Sequence, residues 1–261
     1  MKLATISNLK KYYGDRLILD IDKFEIEEED KIGIVGENGA GKTTLLKIII
    51  GEIKADEGKV HLTDSYSYIS QLEERCITCE ENKVKKIFNS PSEYKEYLSG
   101  GEKVKIQVVN ALSENRKLII ADEPTSNLDS ESIKILDNMF SKYKGALLVV
   151  SHDRNFLNHI CNKIVEIEDG KINIYKGNYD DYKMLKEENI KCEENEYKKY
   201  ISEKKRLEQV ISAKKVLRDR IKKAPKGMGK SEAKTIKMGD QRGKKNIENN
   251  IKSVEKRIEH M

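Results

Sequence analysis

Short apolar runs alternate with polar, Gly- and Asp-rich breaks over the first 180 or so residues, and the spacing of the runs predicts the elements. Residues 3–6 and 17–26 read as strands of an antiparallel sheet, with a turn at Gly14-Asp15. Residues 32–35, 118–121 and 145–150 are continuous apolar runs, the pattern of strands buried on both faces. Between them, residues 45–50, 103–112, 130–142 and 156–161 read as helices, 59–62 and 66–70 as short strands, and 72–97 as a short, polar, mainly helical piece. Residues 163–174 form a hairpin around Asp169-Gly170, a strong two-residue turn signal. Buried strands alternating with helices predict an α/β fold.

After residue 182 the pattern changes. Apolar residues recur at a seven-residue spacing in two rows, Ile190, Tyr197, Ile211 and Tyr200, Leu207, Ile221. Lys204 and Lys214 interrupt the seam they make. Ile247, Ile251, Val254 and Ile258 repeat a similar spacing. Pro225 should end the first helix, so the expectation is a two-helix antiparallel hairpin with Met228 and Met238 near its tip. The domain boundary is placed at 180/181, giving an N-terminal domain over 1–180 and a hairpin over 181–261.

Charge sharpens this division. From Lys183 to Met261 there are 24 basic and 13 acidic residues, net +11, against 26 and 32, net −6, in the rest. A basic tail on an acidic body is a polyanion-binding signal, although it also describes a merely solvated helical face. No run of about 18 apolar residues exists to span a membrane, and the first ten residues lack the apolar core of a signal peptide. The expected location is the cytoplasm, where Cys76, Cys79, Cys161 and Cys192 should stay as thiols.

The chemistry centres on Gly36, Glu37, Asn38, Gly39, Ala40, Gly41, Lys42, Thr43 and Thr44, a phosphate-binding P-loop between a strand and a helix. Its glycines let backbone N–H groups turn toward phosphate oxygens, Lys42 would reach the outer phosphates, and the Thr43 hydroxyl would ligate magnesium. Tyr12-Tyr13 ends the first strand, where an aromatic could stack on a purine or simply pack. Gln71 follows a strand and could approach a magnesium ion and its water. Leu98, Ser99, Gly100, Gly101 and Glu102 precede a helix and form either a second anion cradle or a helix C-cap turn. Asp122 and Glu123 close an apolar strand, as a magnesium holder and a general base beside a P-loop do. His152 occupies the same kind of strand end and could donate to a terminal phosphate.

Taken together these motifs resemble the ATP-binding cassette (ABC) superfamily. Tyr13 stands at the A-loop, 36–44 at Walker A, Gln71 at the Q-loop, 98–102 at the signature, 118–122 with Glu123 at Walker B, 126–129 at the D-loop and His152 at the H-loop. The resemblance covers roughly residues 1–180. It implies a P-loop NTPase fold: a mixed sheet with an antiparallel N-terminal subdomain and a small helical subdomain, followed here by the hairpin. It also implies an ATPase using ATP and Mg2+, with two cassettes sandwiching two nucleotides, each between one cassette's Walker motifs and the other's signature. Glu123 would then activate water and His152 would face the γ-phosphate.

The stretch from Tyr175 to Tyr182, leading into a charged helix, is similar to the ABC-F family, whose paired cassettes act on ribosomes. Residues 223–233 resemble the linker of the antibiotic-resistance, Vga/Lsa-like group. This implies the ribosome as partner, through 23S rRNA and the P-site tRNA region, a second cassette for the ATP sandwich, and no membrane. Measured against that family the chain has one P-loop and ends within the second hairpin helix, so it reads as half a protein. The alternatives are an ATPase subunit of an ABC transporter, a DNA-maintenance ATPase, and a regulatory module that binds ATP without hydrolysing it.

Overall fold

The computed structural model describes residues 1–63, 65–70, 83–88, 90–91, 97–114, 116–220 and 230–259, with backbone alone for 83–84, 220 and 230–242. In chain order, β1 (Lys2–Tyr13), β2 (Arg16–Glu27), β3 (Lys31–Gly36), α1 (Lys42–Ile49), β4 (Glu57–Leu62) and β5 (Tyr66–Ile69) come first. Then follow α2 (Lys83–Phe88), α3 (Gly100–Ser113), β6 (Leu118–Asp122), α4 (Ser130–Lys142), β7 (Ala146–Val150) and α5 (Arg154–Ile160). β8 (Lys163–Glu168), β9 (Lys171–Lys176), α6 (Tyr179–Arg220) and α7 (Lys230–Glu259) complete the chain.

Two sheets form. β2-β1-β4 is antiparallel, and β5-β6-β7-β3-β8-β9 is parallel except for the edge pair β8–β9. The apolar runs at β6 and β7 are buried at every position, and their side chains alternate between two cores. Leu118, Ile120, Leu148 and Val150 face the core shared with β1, β2 and α1. Ile119, Ala121, Leu147 and Val149 face the core built with α3, α4 and α5. A strand covered on both faces has no room for alternating polar residues, which is why its sequence is an unbroken apolar run. The architecture is the mixed α/β fold expected. Gln71, Cys76, Cys79, Ile221, Pro225 and Met228 lie outside the described residues, as does most of 72–97.

The chain divides into two compact units, Met1–Lys186 and Glu187–Met261. Within the second, α6 and α7 run antiparallel: Arg257 meets Glu203 at 3.5 Å and Lys215 meets Glu255 at 3.8 Å. Leu207, Ile211 and Ile251 are buried between them. One part of the expected seam is corrected. Ile190 and Tyr197 are exposed, at 44% and 66%. The partly covered face of α6 instead runs Tyr200, Lys204, Leu207, Ile211, Lys214 and Arg218, so the two lysines belong to the seam. With Glu203 already opposite Arg257, positions 190 and 197 lie beyond the last turn of α7 that is described. Lysine stems can cover apolar surface while their ammonium groups stay in water.

Candidate functional site

The carboxyl ends of β3, β6 and β7 point at one place, the usual position of a ligand site in a parallel sheet. There a cavity of about 620 Å3 is lined by Tyr13, Asn38, Gly39, Gly41, Lys42, Thr43, Thr44, Asp122, Glu123 and His152, together with Ile18, Ser126 and Val150. Gly36, Glu37 and Ala40 form the outer side of the same loop and line a neighbouring hollow. Ser99, Gly100, Gly101 and Glu102 line neither.

The loop's form follows from its glycines. Gly36, Gly39 and Gly41 have φ of 154°, 81° and 100°. A Cβ on Gly36 would lie 2.6 Å from the Ile167 carbonyl oxygen, and one on Gly41 2.9 Å from Ile18 Cγ2. Gly41 starts α1 without any side-chain cap, so the first N–H groups of that helix are left to a ligand. The Lys42 ammonium donates to the Gly36 and Glu37 carbonyls at 2.8 and 3.0 Å. Burial pushes its pKa down, while the nearby Glu123 and Asp122 carboxylates pull it up.

Asp122 is 3% exposed. The Thr43 side chain stands beside its carboxylate and works against the effect of burial on its pKa. Asp122 Oδ1 is buried with no hydrogen-bond partner among the described residues. An orphaned carboxylate oxygen beside a threonine hydroxyl is a hard oxygen donor set suited to Mg2+ with phosphate and water as further ligands. The residues present therefore fit that ion. Glu123 adopts the left-handed region at φ 51°. Its N–H donates to the Val150 carbonyl at 2.9 Å, and its Oε2 accepts from the His152 N–H at 3.3 Å. Its Oε1 lies 3.6 Å from His152 Nε2, too far for a hydrogen bond. Burial raises the pKa of both acids, against His152 in the case of Glu123 and against the Thr43 side chain in the case of Asp122.

The 98–102 segment is a helix start, which corrects the alternative of a helix C-cap turn: the glycines open α3 rather than close a helix before it. Ser99 is the N-cap of α3, and its hydroxyl and Glu102 form a reciprocal capping box. A Cβ on Gly101 would lie 2.4 Å from the Asn127 carbonyl oxygen, so this glycine lets α3 approach the loop after β6. Three contributors escape the motif pattern. Ile18 walls the cavity with Tyr13; Leu17 lies opposite Tyr12 but Leu19 opposite Lys11, so a bulge leaves Ile18 without a β1 partner, and the turn at Gly14-Asp15 gives no sign of that shift. Thr125 and Ser151 are buried and share a 3.0 Å hydroxyl contact that ties the loop after β6 to the loop after β7. No sequence signal pairs those two hydroxyls.

Two family models, both described as ABC transporter, match residues 19–85 with 77–126, and 165–261. The chain contains an ATP-binding cassette. Among solved structures, the ATP-binding subunit of an ABC transporter matches the cassette with a TM-score of 0.56 at 22% identity, over 70% of this chain and 92% of that one. A dimeric post-hydrolysis state of another ATP-binding cassette, bound to ADP and Pi, gives 0.55 at 22% identity, over 66% and 98%. These matches show the fold of the cassette.

Among curated relatives, the ribosome protection protein VmlR of Bacillus subtilis is 32% identical over 79% of this chain and 39% of its own length. The energy-dependent translational throttle protein EttA of Escherichia coli K12 is 31% identical over 72% and 39%. The chain thus spans about two fifths of the length of these relatives. Among the described residues no helix is long and apolar enough to cross a membrane.

Proposed function

We propose that the chain is the ATP-binding portion of an ABC-F protein that acts on the ribosome in the cytoplasm. Its basic helical hairpin is the element directed at 23S rRNA near the P-site tRNA and the peptidyl-transferase centre. The observation that carries this reading is the pair of long charged helices, α6 and α7, following the cassette, in a chain that aligns over most of its length with a ribosome protection protein and a translational throttle protein. Basic helices of this kind neutralise RNA phosphates with little sequence readout. The finer reading is protection from antibiotics, as in the Vga/Lsa-like group, and it is drawn from the linker resemblance at 223–233.

Within the site, Tyr13 and Ile18 take the base, and the 36–44 backbone with Lys42 takes the phosphates. Lys42 exchanges the Gly36 and Glu37 carbonyls for phosphate oxygens. Thr43, Asp122 and Gln71 hold Mg2+, which supplies neutralisation of charge on the β- and γ-phosphates. Glu123 orients and deprotonates the attacking water, its raised pKa suiting it to accept a proton. His152 donates to the terminal phosphate. Ser99, Gly100, Gly101 and Glu102 lie off this cavity and serve the nucleotide of a second cassette.

The test is Glu123→Gln, which removes the base and leaves ATP in place. Ribosome co-sedimentation in ATP should rise over wild type, and an unchanged pellet would count against the reading. The alternative, an ATPase subunit of a transporter, predicts co-purification with a membrane protein instead.

A further inference from the structure

One buried carboxylate near the P-loop has no place in the nucleotide chemistry. Glu166, in β8, is only 5% exposed. It accepts from the Tyr182 hydroxyl at 2.8 Å and the Tyr175 hydroxyl at 3.4 Å, and from the Lys186 ammonium. Tyr182 and Lys186 belong to the first turns of α6. Tyr182 also packs edge-on against Tyr175 and Tyr179, at 5.0 and 5.5 Å between ring centres. A buried acid is tolerated only when its partners are held in place, so the cluster ties the root of α6 to the sheet. The hydrogen bond to Glu166 in turn pushes the Lys186 pKa up.

The other side of Glu166 is the nucleotide site. It pairs in register with Val35, and Ile167 pairs with Gly36, where the P-loop begins. Gly36 packs so closely on the Ile167 carbonyl that no Cβ fits between them. A cavity of about 310 Å3 is lined by Gly36, Lys42 and His152 together with Glu166, Tyr179 and Tyr182. It connects the P-loop lysine with the α6 root.

We propose that Glu166, with Tyr182 and Lys186, relays the nucleotide state of the P-loop to the first turns of α6. Phosphate draws the Lys42 ammonium off the Gly36 and Glu37 carbonyls, which must then shift. Gly36 has no slack against β8, and packed interiors pass on small displacements rather than absorb them. The next group along β8 is Glu166, whose partners stand on α6. Glu166 and Lys186 are thus positioning residues. The relay rests on nucleotide occupying the P-loop and not on the ribosome as partner.

The measurement is hydrogen–deuterium exchange at residues 179–186 of the full chain, with and without Mg2+ and a non-hydrolysable ATP analogue. Nucleotide affinity is determined in parallel. Wild type should show an exchange change of about threefold or more on binding. Lys186→Met should lose that change while its nucleotide affinity stays within about twofold, and Lys186→Arg should keep it. Glu166→Gln, which retains an acceptor for Tyr182, should weaken the change and serves if Lys186→Met fails to fold. The relay is overturned if bound nucleotide leaves wild-type exchange at 179–186 unaltered, or if the Met and Gln variants respond as wild type does. Absence of nucleotide binding by wild type would remove the site assignment itself, a failure distinct from either of those.

Discussion

Asp122 and Glu123 are held against their own solvation. Burial raises both pKa values above their ordinary ones. A raised folded-state pKa means the folded chain binds the proton more tightly than the unfolded one. The resulting stabilisation is complete below the unfolded pKa and is lost as pH rises through the folded pKa. At neutral pH both acids therefore weaken the empty fold. Asp122→Asn should raise the melting temperature of the nucleotide-free chain at pH 7.5, by about 2–4 °C for each kcal/mol relieved, and the gain should vanish near pH 3. The same variant should lose stabilisation by ATP with Mg2+, because a neutral amide is a far weaker ligand for a divalent cation than a carboxylate. Differential scanning fluorimetry with and without nucleotide checks both halves. The glycines give a paired test. Gly41→Ala meets a left-handed φ and a blocked Cβ position, and should cost about 1–3 kcal/mol in urea unfolding. Gly39→Ala, with nothing within 4 Å of the added carbon, should cost less.

At the scale of elements, the hairpin separates periodicity from burial. Ile190 and Tyr197 share the seven-residue spacing of Ile211, yet only Ile211 is covered. Leu207→Ala and Ile211→Ala should each destabilise the helical unit by about 2 kcal/mol or more, while Ile190→Ala and Tyr197→Ala should stay within about 0.5 kcal/mol. Thermal melts followed by circular dichroism at 222 nm discriminate the two pairs, and equal losses in all four would refute the assigned seam. In α3 the reciprocal capping box makes Ser99 a stabilising residue whatever its ligand. Ser99→Ala should cost about 1 kcal/mol even without nucleotide.

For the whole molecule the decisive quantity is the separation of charge, +11 from Lys183 onward against −6 before it. If the tail meets RNA phosphates, ribosome affinity should fall linearly with the logarithm of salt concentration. Lys222→Gln and Lys223→Gln should each flatten that slope by roughly 1 for every phosphate no longer neutralised. A solvated face that touches no RNA would leave the slope where it was. Filter binding from 50 to 300 mM KCl reads it directly.

The chemical motifs were legible because their chemistry is local. A phosphate cradle needs glycines, a lysine and a hydroxyl within one turn of backbone, so 36–44 announces itself. Strand ends bearing Asp122, Glu123 and His152 are likewise marked by the apolar runs before them. By itself, then, the sequence determined the α/β class, the order of the described strands and helices of the cassette, though not the full length of β1, and the candidate nucleotide loop. Tertiary structure alone decided which distant residues meet: Ile18 beside Tyr13, Thr125 against Ser151, Glu166 beneath Lys186, and where the hairpin seam begins. These contacts depend on strand order and helix register, which arise from packing the whole chain at once and leave no period in any one segment.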